Sequence, residues 1–157
     1  MDNLSGYGKS IFKQFATLSY LGYLPASGTI GSICGLIFFI VFRPSVIITF
    51  ILLILCIVSI MITLNQTTEK DPKYIIIDEF IAVVLCCVAL PNLSTKYYIS
   101  LFFLFRTFDI AKPWPIKKIE KLPGMLGVIL DDILAGVLAS FIIFLIIRVA
   151  NNFNISL

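Results

Sequence analysis

The chain contains no histidine, so every reaction that depends on an imidazole side chain is excluded. The excluded classes include enzymes that use a histidine nucleophile on phosphate. The four cysteines do not offer an alternative, because none begins a C-x5-R loop and no two have the C-x-x-C spacing of a zinc site. All four lie within apolar segments, and we interpret them as small apolar packing residues.

Charge is scarce in this sequence. Charged side chains make up 13% of the chain and hydrophobic ones 59%, and the mean hydropathy of +1.03 is far above that of a soluble domain. Residues 45–64 form an uncharged run of about 20 residues, which is enough to cross a bilayer as a helix. Residues 1–24 do not resemble a signal peptide, because Lys9, Lys13 and Gln14 interrupt their apolar stretch. We expect an integral membrane protein with a single domain over residues 1–157.

The apolar runs predict an all-α bundle with four to five membrane helices. The candidate helices are residues 29–42, 45–64, 72–90, 95–111 and 128–150. The first is short for a full crossing, at about 21 Å. Alternating the helices across a bilayer places only Arg43, Lys96 and Arg148 on one face and all other basic residues on the opposite face. By the positive-inside rule the second face is cytoplasmic.

All nine acidic residues fall on that same predicted cytoplasmic face, which the positive-inside rule does not require. Several occur in groups at the ends of apolar runs: Asp71, Asp78 and Glu79, then Asp109, then Asp131 and Asp132. Carboxylates at the mouths of membrane segments are costly to desolvate, so they usually have a function. The alternative explanation is that short outer loops leave no room for charge.

Five of these carboxylates are predicted to lie at one depth, namely Asp78, Glu79, Asp109, Asp131 and Asp132. Like charges a few ångströms apart repel one another unless they are compensated. Mg²⁺ would compensate them, because it prefers carboxylate oxygens and water and keeps positions open for phosphate oxygens. The sequence therefore predicts a magnesium site that suits a phosphate group, although spacing alone does not separate this site from a metal transport path.

Basic residues beside these acids are candidates to bind the phosphate. Arg106 and Lys112 lie three residues on either side of Asp109, although a plain salt bridge within one helix explains the same spacing. Thr29 lies in a Gly- and Ser-rich segment whose backbone N–H groups can receive an anion, although an ordinary helix start looks the same. A phosphate at this depth, with acyl chains in the bilayer, indicates a phospholipid phosphate as partner. No nucleic-acid partner is expected.

Local sequence also predicts how two of the helices present their acids. Asp71 followed by Pro72 is typical of a helix start, which would place Asp71 and Asp78 two turns apart on one helix face. Asp131 and Asp132 each lie four residues before a small residue, a spacing that lets membrane helices approach closely. Both acids are therefore expected on the packed side of the last helix.

Four motifs in a fixed order carry a family resemblance. They are PASGTIGS (residues 25–32), DPKYIIIDE (71–79), FRTFDIAKPWP (105–115) and PGMLGVILDDILAG (123–136). The chain from about residue 21 to residue 139 resembles the phosphatidylglycerophosphatase A family, Mg²⁺-dependent bacterial enzymes that remove the terminal phosphate of phosphatidylglycerophosphate. Two positions depart from the family pattern: Ser27 stands where proline is common, and Ala82 where glycine often follows the acid pair.

The resemblance implies an all-helical fold, a bacterial cytoplasmic membrane location and an active site that faces the cytoplasm. It implies Mg²⁺ as the cofactor, held by Asp78, Glu79, Asp131 and Asp132. The catalytic residues would be Asp109, Asp78 and Asp131, with Asp109 orienting or deprotonating the attacking water. The phosphate would be bound by Arg106, Lys112 and Thr29.

Two hypotheses from other functional classes remain open at this point. A small cation transporter would use the same acids as a metal path, but the middle of the predicted helices carries no acid to continue such a path. A non-catalytic membrane scaffold would use the acids only in surface salt bridges, and their clustering would then be unexplained. The sequence does not determine the oligomeric state.

Overall fold

The computed structural model describes residues 2–69 and 72–153, and the described chain is helical with no strand. Its α-helices are α1 (Asp2–Ala16), α2 (Ser27–Phe42), α3 (Val46–Leu64), α4 (Ile77–Ala89), α5 (Thr95–Ala111), α6 (Ile116–Ile119) and α7 (Met125–Asn152). A single 3-10 turn, Leu21–Tyr23, precedes α2. The prediction of an all-α fold is confirmed.

Local sequence signals set the ends of several helices. The hydroxyl of Ser45 accepts a hydrogen bond from the backbone N–H of Ile48 at 3.4 Å and caps α3, which begins one residue after the predicted start at residue 45. Helix α5 has the predicted bounds, and α2 begins two residues earlier than predicted. Helix α7 begins at Met125 instead of residue 128, directly after Gly124, whose positive φ of 61° is a conformation that favours glycine.

The predicted start of the third membrane helix is wrong. Helix α4 begins at Ile77, whereas Pro72 and the residues after it form a turn; Asp71 lies outside the described residues. The backbone N–H of Ile76 donates to the carbonyl of Ala16 at 3.0 Å, and this bond holds the chain in a non-helical conformation at Ile76 (φ −139°). Asp78 and Glu79 consequently lie in the first turn of α4, where the helix dipole favours negative charge.

Helix α1 is an element that the hydropathy pattern does not reveal. Lys9, Lys13 and Gln14 interrupt its apolar residues, which is the pattern of an amphipathic helix and not of a membrane-spanning one. It packs against α3 and ends at the fully buried Ala16. Its carbonyl bond to Ile76 makes α1 part of the support for the start of α4.

Helix α4 occupies the centre of the bundle, with α2, α3, α5 and α7 around it. Its buried side chains belong to two apolar clusters. One cluster includes residues of α5 and α7, and the other includes residues of α1 and α3. Glycine allows the closest contact on the α2 side, since a Cβ added at Gly31 would lie 2.5 Å from the carbonyl oxygen of Ile76. On the other side Gly136 of α7 lies against Cys86. Small residues therefore allow α2 to approach the start of α4 and α7 to approach the second half of α4.

Within the described part of the chain, two helices, α3 and α7, are long and apolar enough to cross a membrane, and α2 is a shorter apolar helix. The outer side of α3 exposes Ile47, Ile51 and Ile54, which are 73%, 53% and 60% accessible. An exposed apolar surface of this extent suits contact with lipid. Helices α4 and α5, with 13 and 17 residues, are short for a full crossing, so the predicted number of four to five spans stays a prediction.

Candidate active site

A cavity of about 1020 Å³ lies where the starts of α2, α4 and α7 meet the end of α5. Its lining contains two more carboxylates than basic side chains. The carboxylates are Asp78, Glu79, Asp109, Glu120, Asp131 and Asp132, and the basic side chains are Lys73, Arg106, Lys112 and Lys121. The residues that the sequence singles out thus converge from four helices on one space.

Three carboxylates form what we call the acid cluster: Asp78 and Glu79 from α4, and Asp132 from α7. One oxygen of each lies within 4.8 Å of the others. Asp78 and Asp132 are almost completely buried, with 6% and 5% of their surfaces accessible. The backbone N–H of Glu79 donates to Asp78 Oδ1 at 3.1 Å, but Glu79 Oε2 is buried and has no hydrogen-bond partner among the described residues.

The acid cluster has the donor chemistry that a hard divalent cation requires. Its oxygens come from carboxylates alone, the ligands that Mg²⁺ prefers in proteins. Ion pairs among the described residues involve none of the three acids, so no lysine or arginine of this part of the chain is in direct contact with their carboxylates. Buried like charges without compensation are strongly unfavourable, and the unpartnered Glu79 Oε2 marks a free ligand position. The residues present therefore fit a bound Mg²⁺.

Arg106 of α5 organises the neighbouring part of the cavity, which we call the arginine site. Its guanidinium forms an ion pair with Asp109 one turn further along the helix. It also donates to the hydroxyl oxygens of Thr29 at 3.2 Å and Ser32 at 3.4 Å, both on α2. These contacts hold the planar guanidinium in one orientation beside the acid cluster, with Gly28 between it and Glu79.

The spacing of Arg106, Asp109 and Lys112 suggests that their side chains lie along one side of α5. The side chain of Lys112 does not lie there. Lys112 ends α5 in the left-handed conformation (φ 42°), which turns its side chain toward α7. There its ammonium group donates to Asp131 Oδ2 at 2.7 Å and to Glu120 Oε1 at 2.8 Å. Burial lowers the pKa of Lys112, but the two carboxylates outweigh that effect and raise the pKa above its ordinary value, so the lysine is charged.

The structure thus sorts the predicted site residues into three adjacent groups. Asp78, Glu79 and Asp132 form the acid cluster, Thr29 joins Arg106 and Asp109, and Asp131 pairs with Lys112. Asp131 is the one predicted metal ligand outside the acid cluster, although its Oδ1 accepts the backbone N–H of Asp132 at 3.0 Å. Its role as a ligand, like the catalytic and binding roles of the other residues, stays a prediction.

Three residues of the site were missed by the sequence analysis. Ser32 is fully buried and contacts Arg106, and its position one turn after Thr29 on α2 is the signal that could have identified it. Gly28 leaves no room for a side chain beside Glu79. Glu120 had no local signal, because its contact with Lys112 depends on the path of the chain after α5.

Fold and site together define a helical protein with apolar, membrane-type helices and a buried acidic cavity that also presents cationic side chains. Comparison with known proteins gives the family. The family model for Phosphatidylglycerophosphatase A matches residues 14–147. The chain therefore belongs to the phosphatidylglycerophosphatase A family, as the motif order predicted, and this relationship indicates a phosphatase.

Individual relatives agree with the family assignment. A Haemophilus influenzae protein named Phosphatidylglycerophosphatase A is 36% identical over 129 residues, covering 78% of this chain and 79% of that protein. An Escherichia coli protein of the same name is 32% identical over 127 residues, covering 76% and 73%. A Bacteroides thetaiotaomicron protein, named as a candidate phosphatidylinositol-3-phosphatase, is 39% identical over 87 residues, or 54% of each chain. No solved structure matches the chain significantly.

Proposed function

We propose that this protein hydrolyses the terminal phosphate monoester of phosphatidylglycerophosphate, giving phosphatidylglycerol and inorganic phosphate, at the cytoplasmic face of a bacterial membrane. The observation that carries the proposal is the acid cluster beside the arginine site in one cavity, with no protein cation on the cluster among the described residues. Two family relatives that span most of this chain are named for this activity.

The charge of the cavity supports a requirement for Mg²⁺. A phosphate monoester is an anion, and the cavity lining already carries an excess of carboxylates. Asp78, Glu79 and Asp132 would hold the ion, and Asp131 lies next to them on α7. Mg²⁺ bound there supplies the positive charge that offsets this excess and the charge of the phosphoryl oxygens.

The arginine site is suited to bind and orient the phosphoryl group. Arg106 presents N–H groups in a fixed plane, and a guanidinium matches the geometry of two phosphate oxygens. Thr29 and Ser32 restrict its rotation from the α2 side, and Asp109 does so from its own helix. Lys112 is already shared by two carboxylates, so it contributes charge at a greater distance.

We assign to Asp109 the role of accepting a proton from the attacking water. Its carboxylate lines the cavity beside Arg106 and is not part of the acid cluster, so in this proposal it contacts the attacking water and not the metal. In the hydrolysis a water oxygen bonds to phosphorus and its proton passes to Asp109. The bond from phosphorus to the glycerol oxygen breaks, and that oxygen takes up a proton from the surrounding water to become the hydroxyl of phosphatidylglycerol.

The position of the cavity suits a lipid substrate. Exposed apolar side chains line its outer part, including Tyr23 and Leu24 before α2 and Ile110 on α5. Such side chains are suited to the region where lipid headgroups meet acyl chains. The buried acids Asp78, Asp131 and Asp132 lie deeper in the cavity. The phosphate would then enter the cavity while the acyl chains stay in the bilayer.

Phosphate release from phosphatidylglycerophosphate in detergent micelles tests the proposal. Wild-type protein is expected to release phosphate with Mg²⁺ and to stop when a chelator is in excess. Asp78→Asn should abolish release, whereas Glu69→Gln removes one exposed carboxylate outside the cavity and should leave release unchanged. No release by folded wild-type protein with Mg²⁺ would contradict the proposal. Faster release from phosphatidylinositol-3-phosphate would reassign the substrate.

A further inference from the structure

The cavity lining includes two further cationic side chains, on two different turns, that the phosphatase chemistry above does not use. Lys73 and Lys121 both line the cavity, and both are exposed rather than buried with the acids. Ion pairs among the described residues include neither lysine, in contrast to Arg106 and Lys112. Neither lysine is therefore in a direct pair with a carboxylate in this part of the chain.

The backbone of Lys73 is held in place at one wall of the cavity. The hydroxyl of Ser27, at the start of α2, donates to the carbonyl of Lys73 at 2.8 Å. The adjacent Tyr74 stacks on Tyr23 with ring centroids 5.5 Å apart. Two contacts thus support the turn before α4, so that Lys73 is presented from an ordered segment.

Lys121 belongs to the turn between α6 and α7. The backbone N–H of Leu122 donates to the carbonyl of Ile119 at 2.9 Å, which closes this turn. The turn lies against the first turn of α7, since a Cβ added at Gly127 would be 2.5 Å from the carbonyl oxygen of Leu122. Lys117 and Lys118, on α6 just before it, are exposed and do not line the cavity.

We propose that Lys73 and Lys121 form an anion subsite for the phosphodiester of the lipid substrate. This inference rests on the proposed function. Phosphatidylglycerophosphate carries a terminal monoester and, one glycerol unit away, a phosphodiester that stays intact in the reaction. The arginine site and acid cluster serve the monoester, and the two outer lysines offer the positive charge that the diester anion needs.

The subsite gives the enzyme a means of selecting its substrate. A lipid whose only phosphate is a monoester on diacylglycerol has no second anion for Lys73 and Lys121. Binding energy from a non-reacting part of a substrate can hold the reacting phosphate in position. The two lysines are therefore specificity-determining residues, and they do not touch the reacting atoms.

The test compares a Lys73→Gln/Lys121→Gln double variant with a Lys117→Gln/Lys118→Gln double variant. Both remove two exposed positive charges on the same side of the protein, but only the first pair lines the cavity. The measurements are KM and kcat for phosphatidylglycerophosphate in mixed micelles, and inhibition by two products. Phosphatidylglycerol carries only the diester, and inorganic phosphate mimics only the terminal group.

For the cavity pair we expect kcat/KM to fall about tenfold or more, mainly through KM, because two charge-assisted contacts are lost. Inhibition by phosphatidylglycerol should weaken by a similar factor, and inhibition by phosphate should stay unchanged. The control pair should behave as wild type, and Lys73→Arg/Lys121→Arg should restore KM. An unchanged thermal unfolding midpoint shows that each variant is folded.

The failure of the subsite is distinguishable from the failure of the proposed function. Equal kinetics in the cavity pair and the control pair, while the wild type hydrolyses the lipid, would overturn the subsite alone. Equal weakening of both inhibitors would also overturn it, because the lysines would then act through overall charge. Absence of hydrolysis by the wild type would overturn the proposed function and, with it, the subsite.

Discussion

Lys112 Nζ lies 2.7 Å from Asp131 Oδ2, and this contact joins the end of α5 to the second turn of α7. The same ammonium group contacts Glu120 at 2.8 Å, but the two carboxylates differ in exposure, with 8% of the Asp131 side chain accessible and 43% of the Glu120 side chain. Asp131 therefore pairs with Lys112 and is not a member of the acid cluster, even though Asp131 and Asp132 are neighbours in sequence.

Lys112→Met should destabilise the protein, because it leaves the carboxylate of Asp131 buried without its cation. The expected loss is about 1–3 kcal/mol in the free energy of unfolding. Glu120→Gln should cost less than about 1 kcal/mol, since that pair is exposed. Thermal unfolding in detergent measures both. Equal effects of the two variants would contradict the difference that burial predicts.

Mg²⁺ should raise the thermal unfolding midpoint of the wild-type protein in the absence of substrate. Ligand at 100 times its Kd stabilises the folded state by about 2.7 kcal/mol. Asp132→Asn should remove most of this shift, because it takes a charged oxygen from the acid cluster. Glu69→Gln, outside the cavity, should keep it. An undiminished shift in Asp132→Asn would rule out the cluster as the metal site.

Arg106→Lys should lower phosphatase turnover by about 100-fold or more, while the Mg²⁺-induced thermal shift stays. Lysine keeps the charge but cannot reach Asp109, Thr29 and Ser32 with one planar group. Kinetics in micelles and thermal unfolding measure the two effects separately. Wild-type turnover in the variant would show that Arg106 does not bind the phosphate.

Gly28→Ala should lower activity with little effect on stability. A Cβ at this position would press on Glu79 Oε1 and lie 3.5 Å from a guanidinium nitrogen of Arg106. The Glu79 side chain can swing away, so the fold survives but the acid cluster is disturbed. Gly8→Ala is the matched control, because nothing lies within 4 Å of its added Cβ. Activity and unfolding midpoints of both variants check the prediction, and wild-type activity in Gly28→Ala would refute it.

The sequence predicted the all-α fold and the bounds of α2, α3 and α5 closely, because those helices depend on local signals. A long uncharged run defines its helix from within, and in the structure the Ser45 hydroxyl caps only its own helix. The start of α4 could not be predicted in this way. It depends on a hydrogen bond from Ile76 to Ala16, a residue far away in the chain, which overrides the Asp-Pro signal at residues 71–72.

The sequence by itself determined the family and the set of candidate site residues: a chain without histidine offers its few carboxylates, lysines and arginines as candidates for chemistry on phosphate, and their motif order identified the family. Only the tertiary structure decided which acids form the acid cluster and which form ion pairs with basic residues. Neighbouring residues on a helix point about 100° apart, so Asp131 and Asp132 meet different partners once α7 packs against α4 and α5. Distances between helices depend on packing across the bundle, and the small residues at Gly31 and Gly136 allow that packing.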